Sequence, residues 1–280
     1  MTATVFSDTV CELGEGPLWH PEREQLFWVD ILGKRLLTRT DKGEQSWSFD
    51  AHPSALAWLD RDRLMIATET AILDFEIASG EARPVCPLEA ENAATRSNDG
   101  RADPWGGFWI GTMGKRAEPG AGAIYRYREG ALRRLVDGVT IPNAICFAPD
   151  GACAYFTDTA DGRVLRQTLD DEGWPEGSPE VLIDARGAGW GPDGAVTDAE
   201  GCLWLARFGG GAVARHAPDG ALVSLHEVPT PQPTCPAFGG PGLGTLHVTS
   251  AAEGGHPRPA GCTFALAPGL TGWPEPRVRL

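Results

Sequence analysis

Helix is what this sequence has least of. No window of about twelve residues carries a 3.6-residue apolar period without a Gly or Pro inside it, which excludes helical bundles and doubly wound α/β folds. No run approaches the ~20 apolar residues of a membrane span. Met1 to Leu13 has neither a basic start nor a long apolar stretch, so no signal peptide is expected. Positive charge is short as well. The 24 Lys and Arg stand against 38 Asp and Glu, a net charge of −14, which argues against a nucleic-acid or anionic-membrane partner. The 7 cysteines are odd in number and never spaced C-x-x-C, so neither a disulfide framework nor a zinc finger is expected. Reduced, buried thiols in a cytoplasmic protein are the expectation. Several catalytic signatures are missing: the chain has no G-x-S-x-G elbow, no H-E-x-x-H and no phosphate-binding glycine loop opening a helix.

Turn formers are abundant instead. The 36 Gly and 23 Pro exceed a fifth of the 280 residues, with no collagen period. Short apolar strands recur between them, anchored at Trp28, Ile66, Trp109, Tyr155, Trp204 and His247, with spacings of 38, 43, 46, 49 and 43 residues by subtraction. A turn precedes each anchor, such as Pro149-Asp150-Gly151, and a second short strand follows most, such as Ala123–Tyr127. Six copies at a period near ~45 residues, about four strands each, predict an all-β six-bladed β-propeller with four antiparallel strands per blade. A β-sandwich has no reason to repeat this unit six times. No break in composition divides the chain, so residues 1–280 read as a single propeller domain.

Polar residues at one mouth of a propeller channel can converge on a point. The stretches about 10–15 residues before each anchor hold equivalent places in the repeat, and ring closure would bring them together. They are Gly14–Pro17, His52–Ser54, Arg96–Gly100, Ile141–Ala144, Gly191–Gly194 and Pro233–Pro236. Pro192-Asp193-Gly194 reads as a tight turn that holds Asp193 at a strand entrance. Glu15, Asn143 and Asp193 supply two carboxylates and an amide oxygen, hard donors suited to a divalent ion. Arg96 offers a donor fork to polyol oxygens, and Asn98 beside it both donates and accepts. Taken singly, each residue also fits a solvated turn; their equivalence in the repeat is what points to a site.

With these residues the chain resembles the regucalcin/gluconolactonase family of six-bladed propellers, the senescence-marker-protein-30-like sugar lactonases. The resemblance runs from Cys11 to about Ala267. It rests on G-E-G-P-L-W at Gly14–Trp19, R-S-N-D-G at Arg96–Gly100, W-I-G-T-M at Trp109–Met113 and P-G-A-G-A-I-Y-R at Pro119–Arg126. It rests further on I-P-N at Ile141–Asn143, P-D-G at Pro192–Gly194, F-G-G at Phe238–Gly240 and L-H-V-T-S-A at Leu246–Ala251. It implies one divalent ion, with Ca, Zn, Mg, Mn and Fe all open, held by Glu15, Asn143 and Asp193. It implies sugar-lactone contacts from Arg96 and Asn98, and hydrolysis with Asp193 as the base. Where some members place an acidic substrate contact, this chain has Arg116, which leaves Lys115, Arg116 and Glu118 as candidates to face the pocket.

The expected function is therefore hydrolysis of an aldonolactone by a metal-dependent monomer or weak homo-oligomer. Two rivals stand beside it. One is a calcium-dependent esterase or phosphotriesterase with an apolar mouth supplied by Trp190 and Trp105. The other is a non-catalytic calcium-binding regulatory protein. A propeller that only scaffolds partners is disfavoured by carboxylates at the central mouth.

Overall fold

A computed structural model describes residues 2–280 and shows a six-bladed β-propeller. Strand β1 (Thr4–Ser7) opens the chain, and blade 1 follows as β2 (Gly14–His20), β3 (Gln25–Asp30), β4 (Arg35–Thr40) and β5 (Gly43–Ser48). Blade 2 is β6 (Pro53–Asp60), β7 (Arg63–Thr68), β8 (Ala71–Glu76) and β9 (Ala82–Pro87). Blade 3 is β10 (Thr95–Ala102), β11 (Phe108–Gly114), β12 (Gly122–Arg128) and β13 (Ala131–Val139). Blade 4 is β14 (Pro142–Phe147), β15 (Cys153–Asp158), β16 (Arg163–Thr168) and β17 (Glu180–Asp184). Blade 5 is β18 (Gly191–Thr197), β19 (Leu203–Phe208), β20 (Ala212–His216) and β21 (Leu222–Glu227). Blade 6 takes β22 (Pro233–Gly239), β23 (Thr245–Ser250) and β24 (Thr263–Leu266), and β1 completes it as the outermost strand. That pairing, Thr4 opposite Ala265 and Val5 opposite Phe264, closes the ring. Nothing in Thr4–Ser7 announces this role in the sequence.

Burial explains why these segments form strands. The six anchor residues all fall on the second strand of a blade, covered on both faces, and Trp28, Trp109 and Trp204 are wholly buried. The fourth strand faces water, and its residues turn polar, as in G-E-Q-S-W-S of β5. Apolar side chains fill the wedges between blades: Met65, Ala67, Phe108 and Ile110 between blades 2 and 3, and Trp204, Phe238, Val248 and Phe264 between blades 5 and 6. Among the described residues there is no α-helix. Two three-residue 3-10 turns occur, at Pro241–Leu243 and Glu253–Gly255, and no helix is long and apolar enough to cross a membrane. All 7 cysteines are free, and all but Cys86 are buried.

One expectation needs correction. The polar stretches are not turns that lead to the strands; they open the innermost strands themselves, with Glu15 and Asn143 second in β2 and β14 and Asp193 third in β18, at the strand entrance expected for it. Each carries a bulge, where the register shifts between Glu15 and Leu18, Pro53 and Ala55, Ser97 and Gly100, Asn143 and Cys146, Pro192 and Ala195, and Pro233 and Pro236. A bulge leaves residues out of the ladder and re-aims their side chains. Gly194 is not there for a left-handed turn. It is there because a Cβ would overlap the side chain of Cys235 on the neighbouring inner strand. Gly16 does take positive φ, at 52°, inside its own bulge.

The chain ends as a strap on the face opposite the bulges. It leaves blades 5 and 6 through Ala199 N–H to Thr271 O and Gly272 N–H to Leu243 O. It reaches blades 2 and 3 through Val278 N–H to Trp58 O and Arg279 N–H to Gly106 O.

Candidate active site

The bulges of four inner strands bring the sequence-selected residues to one mouth of the channel. Glu15 and Asn143 hold the same register position, opposite Val29 and Thr157, just before their bulges. In blade 5 that position is Pro192, opposite Arg207, and Asp193 is the first residue out of the ladder. In blade 3 Asn98 matches Asp193, the first residue after Ser97. The repeat therefore supplies donors from two successive levels, not from one ring. Glu15, Arg96, Asn98, Asn143 and Asp193 are each more than nine-tenths buried.

Hydrogen bonds hold the neutral groups in place. Arg96 Nη1 donates to Asn98 Oδ1 at 2.8 Å and to Ser97 O at 2.9 Å. Asn98 Nδ2 donates to Asn143 Oδ1 and to Pro142 O, both at 3.0 Å. Asn143 Nδ2 donates to Thr159 Oγ1 at 2.9 Å, and that hydroxyl donates to Pro192 O at 2.7 Å. The amide of Asn143 is thereby oriented with its nitrogen toward Thr159 and its oxygen toward Asn98. A carbonyl oxygen has a second lone pair, which leaves it able to accept or ligate once more.

The carboxylates are held differently. Burial pushes Glu15 up to about 8, and the charge on Asp99 adds to the shift. Burial, then Glu15 and Asp99, raise Asp193 well above the usual carboxylate range. Asp99 is raised too, chiefly by burial, although it accepts Gly100 N–H at 2.8 Å and Ile145 N–H at 2.7 Å. Among the described residues Glu15 and Asp193 have no ion-pair partner within 4 Å, nor does Arg96. Three buried carboxylates with raised pKa values share this end of the channel, and a bound cation would favour their ionised forms. Among the described residues no three of His, Cys, Asp and Glu converge as a metal-binding group. A set here comprises two carboxylates and the Asn143 oxygen, all hard donors that fit Ca²⁺, Mg²⁺ or Mn²⁺ better than a thiophilic ion.

The 115–118 loop resolves into two parts. Lys115 reaches back to the mouth, where its Nζ lies 2.5 Å from Glu69 Oε2, and His52 Nδ1 lies 3.2 Å from the other oxygen of Glu69. His52 immediately precedes β6 and Glu69 immediately follows β7, both at the bulge end of blade 2, which puts this cluster on the rim of the same mouth. Arg116 is not brought to the site: its side chain is 90% exposed and pairs with Glu118. Trp105 is not at this mouth either. It lies between β10 and β11 at the opposite end of blade 3, where its indole N–H donates to Asp171 O at 2.8 Å. Trp190 does precede β18 at the site end, with Arg207 stacked on it at 4.4 Å.

Sequence reasoning missed Thr159 and Glu69, and it gave no role to His52 although that residue opens one of the six selected stretches, because these roles depend on which loops share the mouth. It also missed Arg101. The signal for Arg101 was present: opposite Trp109 it holds the register position where blades 1, 4, 5 and 6 carry the apolar Trp19, Phe147, Val196 and Ala237.

Comparison with known proteins agrees with this architecture. The model of the SMP-30/Gluconolactonase/LRE-like region matches residues 13–252. A 6-deoxy-6-sulfogluconolactonase from Pseudomonas putida is 37% identical over 277 residues, 94% of each chain. A pentonolactonase from Haloferax volcanii is 35% identical over 295 residues, the whole of both chains. The crystal structure of a calcium-binding protein, regucalcin, from Agrobacterium tumefaciens superposes with a TM-score of 0.95 at 39% identity, covering 100% of this chain and 98% of that one.

Proposed function

The chain belongs to the SMP-30/gluconolactonase/LRE-like family, and on that premise we propose that it hydrolyses a sugar lactone to its aldonic acid with one divalent ion at the channel mouth. The observation that carries this reading is the meeting of unpaired carboxylates, Glu15 and Asp193, with the free donors of Arg96 in one buried pocket. Glu15, Asn143 and Asp193 would hold the ion. When bound, it supplies Lewis-acid polarisation of the ester carbonyl.

The chain's own residues do the rest. Arg96 has donors left over after Asn98 and Ser97, and these bind ring hydroxyls of the sugar. Asn98, locked between Arg96 and Asn143, fixes the register of the lactone against the site. Asp193, raised by burial, takes the proton from the attacking water, the direction a general base near neutral pH requires. The inner strands close the pocket floor and exclude bulk water. Lys115, Glu69 and His52 line the rim and meet the substituents of the sugar farthest from the carbonyl.

The test is a chelated and metal-reloaded preparation assayed for acid release against five- and six-carbon aldonolactones, with an aryl ester and a phosphotriester alongside. Metal-dependent opening of at least one lactone is expected. Turnover of only the aryl ester or phosphotriester would replace the substrate class. Cation-induced stabilisation with no turnover of any compound would leave a cation-binding protein and overturn the enzyme.

A further inference from the structure

The channel has a second charged group that neither the donor set nor the substrate uses. Arg101, on β10 below the bulge, sends its guanidinium across the channel axis. Its Nε donates to Ile145 O at 3.3 Å, and its Nη2 to Ala195 O at 3.1 Å and Pro236 O at 3.5 Å. These are backbone carbonyls of the inner strands of blades 4, 5 and 6. Its Nη1 pairs with Glu275 Oε1, a carboxylate on the strap, and the two side chains are 9% and 7% exposed. The strap is seated for that purpose: Trp58 Nε1 donates to Glu275 O at 2.9 Å, and Val278 N–H to Trp58 O follows. Glu275 thus enters the channel from the end away from the site.

The pair belongs to the same electrostatic unit as the site. The charge of Arg101 is felt at Glu15 and at Asp99, and that of Glu275 at Asp99. The channel holds four buried carboxylates, Glu15, Asp99, Asp193 and Glu275, against two buried guanidiniums, Arg96 and Arg101. With all six groups ionised, the formal excess is two negative charges, which one divalent cation balances. Without Glu275 the excess would be one; without Arg101 it would be three.

We infer that Arg101 and Glu275 are positioning residues that set the charge of the channel to match a divalent ion, and that the C-terminal strap is the element that installs the second of them. This rests on the divalent-ion reading above. It differs from a purely structural role. A buried pair kept only for packing exchanges for neutral groups with effects on stability alone; a charge-setting pair moves cation affinity, and its two members move it in opposite directions.

The experiment is a double-mutant cycle with Glu275→Gln, Arg101→Gln and the double variant. Each protein is stripped with chelator and titrated with CaCl₂, or with the chloride of Mg²⁺, Mn²⁺, Zn²⁺ or Fe²⁺ if the wild type does not bind Ca²⁺, followed by thermal shift and calorimetry. Glu275→Gln should weaken Ca²⁺ binding about tenfold, Arg101→Gln should tighten it about tenfold, and the double variant should return to within about threefold of the wild type. Glu275→Asp, which keeps the charge, should restore most of the affinity and decides the matter if Arg101→Gln does not fold. Single variants that shift affinity in the same direction, or leave it unchanged while wild type binds, overturn the charge-setting role and spare the lactonase reading. A wild-type protein that binds no divalent ion overturns both this inference and the metal part of that reading.

Discussion

The two ends of the central channel are made by the same six strands and hold charge in opposite ways. At the strap end the Glu275 carboxylate meets a guanidinium; burial pushes it toward the neutral form and Arg101 pulls it back. Elsewhere in the scaffold the pattern is the same. Asp198 accepts Arg215 Nε at 2.7 Å, Trp204 Nε1 at 2.9 Å and two backbone N–H groups, and Asp103 pairs with Arg126 at 2.7 Å. At the site end Glu15 and Asp193 are both buried without an ion-pair partner among the described residues; Asp99 adds to the rise at Glu15, and Glu15 and Asp99 add to the rise at Asp193. Buried charge that is matched holds this fold together. Buried charge that is left unmatched, at a cost in stability, marks where a ligand supplies the missing partner.

The largest effects should separate these two kinds of carboxylate. Asp193→Asn is expected to reduce lactone turnover by roughly a thousandfold or more, since it removes both a ligand and the proposed base. The same change should raise the melting temperature of the chelated protein, because it takes one charge out of a mutually repelling cluster. Asp198→Asn should do the reverse: turnover per folded molecule stays, and stability falls by about 3 kcal/mol as Arg215 loses its buried partner and keeps only the exposed Glu200. Melting curves with and without chelator, beside the lactone assay, check both. If Asp193→Asn destabilised the chelated protein as Asp198→Asn does, the distinction between the two carboxylates would collapse.

Acid lability offers a control that involves neither end. His247 is buried between Trp19, stacked at 5.8 Å, and Phe6, edge-on at 4.9 Å, and burial lowers its pKa from 6.5 to about 4. The unfolded chain therefore binds this proton at a higher pH than the folded one does. Between those two values the unfolded state holds more protons, so stability is lost as pH falls from about 6.5 toward 4. The full loss is worth about 3 kcal/mol. His247→Phe should flatten most of that slope in urea midpoints measured at pH 7 and pH 4.5, with the site untouched. An unchanged slope would place the acid sensitivity in the other histidines or in the channel.

What the sequence disclosed follows from what repeats. The second strands were legible because burial on both faces writes an apolar run six times. Glu15, Asn143 and Asp193 were legible because they fall near the same point of the unit. Their level within the bulge was not, because P-D-G and I-P-N have the composition of turns, while here a neighbouring inner strand supplies the reason for the Gly. Features that occur once were invisible. The closing strand Thr4–Ser7 and the strap at 271–279 belong to no repeat, and Glu275 lies 174 residues from the Arg101 it pairs with. Arg101 was visible only as an exception to an apolar register position, a comparison that needs strand pairing to be known first.

A smaller effect tests the boundary between ion and substrate at the open end. Arg96 touches Asn98 and Ser97 and no proposed ligand directly. Arg96→Ala should cost roughly 1.5–3 kcal/mol in transition-state binding, or about one to two decades in kcat/KM. Ca²⁺ affinity should rise slightly or hold, because a positive neighbour of Glu15 is gone. Unchanged kinetics on every lactone would remove Arg96 from the substrate surface.

The smallest expected change is the sharpest for the unmatched charge. The Asn143 oxygen is the one neutral donor of the proposed set, and Thr159 fixes the amide from its nitrogen side. Were Asn143 present only to suit its bulge, Asp in its place would leave cation affinity and turnover alone. As a ligand it lets the site hold an ion without adding charge. Asn143→Asp would raise the channel's excess from two negative charges to three. The ion should then bind at least as tightly as in wild type, while its net positive charge and its pull on the lactone carbonyl fall. Turnover about tenfold slower at saturating cation, with Ca²⁺ affinity equal or higher, is the expected pair of results. Thr159→Val supplies the matching control. It frees the amide to turn its nitrogen toward the ion, so affinity and rate should fall together. Wild-type rate with wild-type affinity in Asn143→Asp would strike Asn143 from the site and leave Glu15 and Asp193 as its only protein ligands.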